Sequence, residues 1–244
     1  MKNFCSKCGN ELESCSCNNN ENKIKSVFNG IGYAIILFLS YVFIPSFIAL
    51  FVQYIFHLNE TMCSFIGNFI YIIAVVIYYR DLFINGIKDY FKKFTSNLGT
   101  SFKYWGIGLG IMIVTNLLLN YFVFPGQIAN NEEVNRQFLE MNKIIGFIQI
   151  VFMAPVIEEL IFRYSIRKIT NDKVWYPLLS GLVFGLPHAL TGITTPLELL
   201  YTIPYGALGW AFASLYNKTD NIITNISMHM LHNFIVYMII ILAL

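Results

Sequence analysis

Charged residues are scarce in this chain of 244 amino acids. Lysine, arginine, aspartate and glutamate together make up 12% of it, whereas a soluble domain carries about a quarter. Hydrophobic residues make up 56%, and the mean hydropathy is +0.58. These values exclude an ordinary soluble domain and indicate an integral membrane protein. The formal net charge of +2 offers no basis for nucleic acid as a partner.

No secretory signal peptide is evident in the sequence. The first 25 residues are polar and rich in cysteine, with neither an apolar core nor a small-residue cleavage site. We therefore expect the later helices to hold the chain in the cell membrane, with lipids around them. Internal repeats are lacking too, and this argues against a transporter built from two repeated halves, in which the glutamates would carry an ion.

Cysteine is concentrated at the amino terminus, at Cys5, Cys8, Cys15 and Cys17. A Cys-x-x-Cys-Gly turn with a second close cysteine pair suits tetrahedral zinc coordination and resembles a miniature zinc ribbon. So short a segment cannot bury a core, so the metal would supply its folding energy. We predict a structural zinc motif over 1–18 and a flexible linker over 19–29. Free or disulfide-bonded thiols are the alternative.

Seven apolar runs follow, each long enough, or nearly long enough, to cross a membrane. They cover residues 30–56, 62–79, 102–124, 144–166, 175–191, 196–215 and 221–243. The sequence thus predicts an all-α, polytopic membrane protein with about seven transmembrane helices. We divide them into amino-terminal transmembrane helices and loops, 30–143, and a four-helix core, 144–244.

Lysine and arginine in the loops predict the orientation, because basic loops stay in the cytoplasm. Basic residues precede the first span, cluster in the segment 81–101, and follow the fourth and sixth spans. We therefore expect the amino terminus in the cytoplasm, where reducing conditions keep thiolates free to bind zinc. The aromatic and basic segment 81–101 is expected to lie along the inner membrane surface.

The fourth run contains three ionisable side chains, Glu158, Glu159 and Arg163. Each charge near the centre of a spanning helix costs roughly 2.5–3.5 kcal/mol, so such residues usually have a function. Glu159 and Arg163 are four positions apart and can pair on one helix face. Glu158 points about 100° away and is left as the available carboxylate. A polar grip on a neighbouring helix, or an ion pathway, is the alternative.

The fifth and seventh runs place further polar groups inside apolar helices. His188 follows a proline that should kink its helix, while His229 and Asn233 are four apart and share a face. A single histidine in such a helix usually packs in the core. Together with the charged residues of the fourth run, however, these groups favour one common site. His232 is interpreted as a supporting partner of that site, with a spare metal ligand or simple packing as alternatives.

The order Glu-Glu-x-x-x-Arg, Phe-x-x-x-His and His-x-x-x-Asn resembles the CPBP family, which comprises CAAX prenyl endoproteases and bacteriocin-processing or Abi-type proteins. These motifs are Glu158 to Arg163, Phe184 to His188, and His229 to Asn233, within about 144–240. The resemblance implies an intramembrane endopeptidase acting on a membrane-associated peptide or protein. It implies that Glu158 activates a water held with His188.

The resemblance further implies that His229 and Asn233 stabilise the oxyanion and that Glu159 with Arg163 braces the site. Donors aimed at an oxyanion are worth about 3–4 kcal/mol each. Glu158, His188 and His229 could also hold a catalytic metal with an open position, although a directly activated water would serve as well. A non-catalytic self-immunity or regulatory membrane protein of the same architecture is the other reading.

Overall fold

The computed structural model describes residues 16–170 and 174–243. Cys5, Cys8 and Cys15 lie outside these residues, and the side chain of Cys17 is not described either. The structural zinc motif therefore stays a prediction.

The described residues form helices and no strands, which confirms the predicted all-α class. Nine helices and one short 3-10 turn follow one another in these residues. They are α1 Ser16–Phe56, α2 Glu60–Tyr78, α3 Arg80–Lys92, α4 Phe94–Phe122, α5 Asn130–Met141, α6 Lys143–Ile169, α7 Trp175–Leu190, the 3-10 turn Pro196–Tyr201, α8 Thr202–Thr219 and α9 Ile222–Ala243.

Five of these helices are long and apolar enough to cross a membrane: α1, α2, α4, α6 and α9. The other two predicted spans correspond to α7, with 16 residues, and α8, with 18. The sixth run was placed at 196–215, but its first residues form the 3-10 turn and α8 starts at Thr202. Most of α8 is buried among its neighbours, so it is a central helix with little surface for lipid.

The segment predicted as a linker, 19–29, is helical, because α1 begins at Ser16 and runs through it. Neither proline nor glycine occurs between residues 18 and 29, so nothing in the backbone interrupts the helix. The segment 81–101 is also helical, forming α3 and the first turns of α4. The connection before the core contains α5.

Helix α6 contains two irregular turns, and Pro155 explains the end of the first one. π-Helical turns cover Phe147–Met153 and Glu159–Ser165. Such turns are rare in proteins, and those that occur often lie at functional sites. In the first, the N–H of Ala154 donates to the carbonyl of Gln149, five residues back. The next donor in this register would be residue 155, and proline has no N–H. The carbonyl of Ile150 is thereby left without its helical partner.

Helices α7 and α8 pack closely because glycines line their contact. A Cβ atom placed on Gly185 would lie 2.6 Å from the carbonyl oxygen of Thr202 and 2.7 Å from the nitrogen of Gly206. Gly181 is equally restricted, with the Gly206 carbonyl oxygen 2.6 Å away. Small residues four apart let membrane helices approach in this manner. The contact fixes α7, which carries His188, against the buried α8.

Replacing Gly185 by alanine is expected to destabilise the protein by about 1–3 kcal/mol, because the added methyl group forces the two backbones apart. The unfolding midpoint in detergent measures this effect. Gly110→Ala in α4 is the matched control, since no atom lies within 4 Å of its added Cβ. This control should be neutral or stabilising by roughly 0.5–1 kcal/mol. Equal midpoints for the two variants would contradict the close packing.

A polar contact joins α3 to the turn before α9. The side-chain amide of Asn221 donates to the Gly86 carbonyl at 2.9 Å and to the Asp89 carboxylate at 3.1 Å. Its oxygen accepts the N–H of Ile223 at 2.9 Å and caps α9. Lys93 also pairs with Asp89, at 2.8 Å. The hydrogen bonds from Lys93 and Asn221 lower the pKa of Asp89 below its ordinary value.

This lowered pKa predicts an acid-sensitive attachment of α3. A carboxyl group with a depressed folded-state pKa stabilises the fold above its ordinary pKa, and the contribution is lost as the pH falls through the lowered value. Below that value, we expect the amides of α3 to have smaller hydrogen-exchange protection factors, corrected for the intrinsic rate at each pH, than at pH 6. Asp89→Asn should remove this acid-dependent step. An unchanged step in the variant would assign it to another group.

Candidate active site

The centre of the polar cluster is Glu159, whose side chain is fully buried. Its Oε1 atom is 2.8 Å from Nδ1 of His229 and 3.3 Å from Nη1 of Arg163. Its Oε2 atom accepts a hydrogen bond of 3.1 Å from the amide of Asn225. The pair predicted from the four-residue spacing is present, and the same carboxylate also fixes two side chains of α9. Glu159 therefore ties α6 to α9 inside the apolar core.

Arg163 balances the buried charge of Glu159. Its guanidinium carbon lies 4.3 Å from the ring centroid of Phe184 and 5.5 Å from that of Phe212. Contacts of a cation with ring faces strengthen when water is excluded. Within the described chain its nitrogens make no hydrogen bond of good geometry, so the ion pair and the two rings hold it. Arg163 is a structural counter-charge beneath the site.

Glu158 differs from its neighbour because its side chain keeps 17% of its surface exposed. Its Oε2 atom lies 3.7 Å from Nε2 of His229, which is too long for a direct hydrogen bond. Polar atoms at such a separation commonly share a water molecule. Of the two adjacent glutamates, one is buried and fully engaged, while the other is accessible.

His229 lies between the two carboxylates and has a defined orientation. Carboxylates only accept hydrogen bonds, so Nδ1 must carry the proton that it shares with Glu159. The ring stacks on Phe212, with centroids 5.0 Å apart, and meets the edge of Phe184 at 6.0 Å. These contacts aim Nε2 at Glu158.

His188 is adjacent to this cluster and is separated from it by the ring of Phe184. Its Nδ1 atom is 2.8 Å from the Phe184 carbonyl, and because a carbonyl only accepts, Nδ1 carries the proton and Nε2 its lone pair. The imidazole packs between Phe184, at 4.4 Å, and Tyr205, at 5.1 Å. The ring is therefore held with an acceptor nitrogen free.

The ligands predicted for a catalytic metal are not assembled in this arrangement. Across 16–170 and 174–243, no three histidine, cysteine, aspartate or glutamate side chains are placed so that they could hold one ion. Glu158 and His229 are neighbours, but the ring of Phe184 lies between His188 and His229. The described residues as placed do not fit a three-ligand metal site.

Asn233, predicted as an oxyanion donor, gives one amide hydrogen to the backbone. Its Nδ2 atom donates to the Ile150 carbonyl at 2.8 Å, the group that Pro155 leaves without a helical donor. An unpaired carbonyl inside a membrane is costly, so this bond is a reason for asparagine at 233. The amide keeps a second hydrogen for a ligand.

Asn233→Leu is expected to lower the unfolding free energy by about 1–3 kcal/mol, because the Ile150 carbonyl loses its donor. Pro155→Ala should restore much of this loss in the double variant, since alanine supplies the missing N–H. Unfolding midpoints of the parent, both single variants and the double variant measure the effect. Strictly additive losses in the double variant would show that the N–H of alanine at position 155 does not replace the Asn233 amide as the donor to the Ile150 carbonyl.

Asn225 is a residue of the site that the sequence analysis missed. It is fully buried and donates to the Phe212 carbonyl at 2.6 Å as well as to Glu159. Its signal is present in the sequence, because Asn225, His229 and Asn233 follow one another at intervals of four on one face of α9. His232, by contrast, accepts a hydrogen bond of 3.3 Å from the indole of Trp105 and so joins α9 to α4.

Residues 140–235, which contain all these groups, match the family described as "Type II CAAX prenyl endopeptidase Rce1-like". The match shows that this segment, which is less than half of the chain, is similar to the Rce1-like CAAX protease family. The matched range covers α6 to α9 and agrees with the resemblance found in the sequence.

The chain is also similar to curated proteins. The chain is 30% identical over 126 residues to "Putative membrane peptidase YdiL" of Bacillus subtilis, covering 49% of this chain and 48% of the relative. It is 29% identical over 149 residues to UPF0177 protein YxdF of Lactococcus lactis, covering 57% and 78%. It is 25% identical over 132 residues to UPF0177 protein YvdC of the same organism, covering 52% and 48%. The chain thus spans about half the length of the first and third relatives. No solved structure matches it.

Proposed function

We propose that the protein is an intramembrane endopeptidase that hydrolyses a peptide bond of a membrane-associated peptide or protein with water activated by Glu158. The observation that carries this proposal is the division of labour between adjacent carboxylates. Glu159 is buried and bound by three side chains. Glu158 is accessible and lies 3.7 Å from a histidine that Glu159 orients. A base must reach its proton, and of the two carboxylates only Glu158 is accessible.

In the proposed reaction, the Glu158 carboxylate takes a proton from water as the water oxygen bonds to the carbonyl carbon. The carbonyl electron pair moves to oxygen and forms an oxyanion. When the oxyanion collapses, the carbon–nitrogen bond breaks and the proton on Glu158 passes to the leaving nitrogen. The products are a carboxylic acid and an amine, and Glu158 returns to its starting state.

Hydrogen-bond donors would stabilise the oxyanion in this reaction. When both ring nitrogens of His229 are protonated, Nε2–H serves as one donor, and the second amide hydrogen of Asn233 serves as another. The resemblance gives His188 the role of holding the water, and this role would require the water or the substrate to reach its Nε2 atom past the ring of Phe184. Arg163 would act through Glu159 by keeping that carboxylate ionised and in place.

We also propose an orientation of the site in the membrane. The amino terminus would lie in the cytoplasm, with Cys5, Cys8, Cys15 and Cys17 binding a structural zinc ion there. Glu158 would then lie in the cytoplasmic half of α6, and the substrate would reach it from the bilayer or its inner surface.

The test is turnover by purified protein. In bicelles, the parent protein should cleave members of a panel of internally quenched apolar peptides into two fragments, which mass spectrometry identifies. The enzymatic proposal would be overturned if the parent protein cleaves none of these peptides while the parent and a Glu158 variant both confer self-immunity in cells. That result would support action by contact.

A further inference from the structure

A cavity of ≈ 190 Å³ lies between α1, α2, α5 and α6, beside the proposed catalytic carboxylate. Its ten lining residues include four with hydrogen-bonding side chains: Tyr41, Asn68, Asn135 and Gln149. Pockets that bury a whole ligand measure roughly 300–1,000 Å³. This cavity is therefore sized for part of a longer molecule.

The four polar side chains have no internal role that accounts for them. Each is partly buried, and none makes a side-chain hydrogen bond to another described group. Tyr41 and Asn68 lie within membrane-crossing helices, where an unsatisfied polar group costs free energy. Polar groups at this depth commonly face a water-filled cavity or a ligand.

The cavity adjoins the proposed chemistry at two points. Ile157, the residue before Glu158, forms part of its wall. Ile150 also lines it, and the carbonyl of Ile150 is the group held by Asn233. A molecule in the cavity would therefore extend toward both Glu158 and α9.

Helix α5 covers one side of the cavity through Asn135 and is fixed in place at its other end. The Asn130 amide donates to the Gly192 carbonyl at 2.7 Å and to the Glu198 carboxylate at 2.8 Å. Glu198 also accepts the Thr194 hydroxyl at 2.6 Å. Helix α5, which covers the cavity, is thus attached to the 3-10 turn that precedes α8.

We infer that this cavity is a substrate subsite that binds an extended peptide backbone next to the scissile bond, with Asn68, Asn135, Gln149 and Tyr41 pairing its N–H and C=O groups. Side-chain amides both donate and accept, which matches a backbone and leaves the apolar walls to contact its side chains. The inference rests on the proposed function, because it places the peptide relative to Glu158.

Binding can be measured without cleavage in the Glu158→Gln background. The probe is a fluorescein-labelled ten-residue peptide of leucine, alanine and glycine, and its partner is the same peptide with every backbone nitrogen methylated. Asn68→Leu with Gln149→Leu removes two of the amides. Asn116→Leu is the matched control, because Asn116 is exposed on α4 and outside the cavity.

We expect the double substitution to raise the Kd of the unmethylated peptide about 10-fold or more, with no loss of thermal stability, and Asn116→Leu to leave it unchanged. The methylated peptide should bind weakly to all variants. Equal Kd values for parent and double variant, equal binding of the two peptides, or no binding by the parent would overturn the subsite. A lower unfolding midpoint with unchanged Kd would assign the amides to stability instead. Because this assay involves no hydrolysis, its result is separate from failure of the peptidase proposal.

Discussion

Glu158→Gln is expected to reduce peptide cleavage by about 100- to 10,000-fold, the usual contribution of a general base. Glutamine keeps the size of the side chain but cannot take a proton from water. Because Glu158 is partly exposed and makes no direct hydrogen bond with its neighbour at 3.7 Å, little stability depends on it. The initial rate with an internally quenched peptide in bicelles measures the effect, together with the unfolding midpoint.

Glu140→Gln is the control for this prediction. It is the same chemical change on an exposed residue of α5, and it should leave both the rate and the midpoint unchanged. Met230→Ala, in the same helix as His229, should also retain cleavage. A Glu158→Gln protein that cleaves at the parent rate would remove this carboxylate from the mechanism.

Glu159→Ala is expected to have the largest effect on stability, lowering the unfolding free energy by about 3–5 kcal/mol. The variant leaves the fully buried guanidinium of Arg163 without its counter-charge. It also leaves the amide of Asn225 and Nδ1 of His229 without their acceptor. Unfolding in detergent, followed by helical circular dichroism, measures the loss.

The double variant Glu159→Leu with Arg163→Met separates the ion pair from its surroundings. Replacing both charges by apolar side chains of similar volume is often neutral for stability. We therefore expect this variant to be more stable than either single variant, yet deficient in cleavage because His229 has lost its orienting carboxylate. Additive losses in the two single variants would show that the pair is not coupled.

Much of the architecture could be predicted because its signals are local. Apolar runs predicted the helices, and the four-residue spacing predicted the contact of Glu159 with Arg163. We predicted that the three motifs share one site because polar groups within a bilayer usually pair with one another. Composition could not separate a central helix such as α8 from a lipid-facing span, because both are apolar.

The remaining details depend on register and on partners distant in sequence. Pro155 lacks an N–H, but only the π-helical register decides that the carbonyl of Ile150 is the one without a donor. That register in turn gives Asn233 its backbone contact. Asn225, a further partner of Glu159, is 66 residues away from it in sequence, and no pairwise spacing connects the two. The lining of the cavity likewise comes from four helices.

Chemical rescue of Glu158→Ala by formate tests the central claim most directly. The shortened side chain leaves room for a small carboxylate beside His229, and the claim requires only a base at that position. Cleavage by the variant should be nearly absent in buffer and should rise with formate concentration, while Glu158→Gln, which keeps the space filled, should not respond. Cleavage by Glu158→Ala at the parent rate without formate would contradict the account.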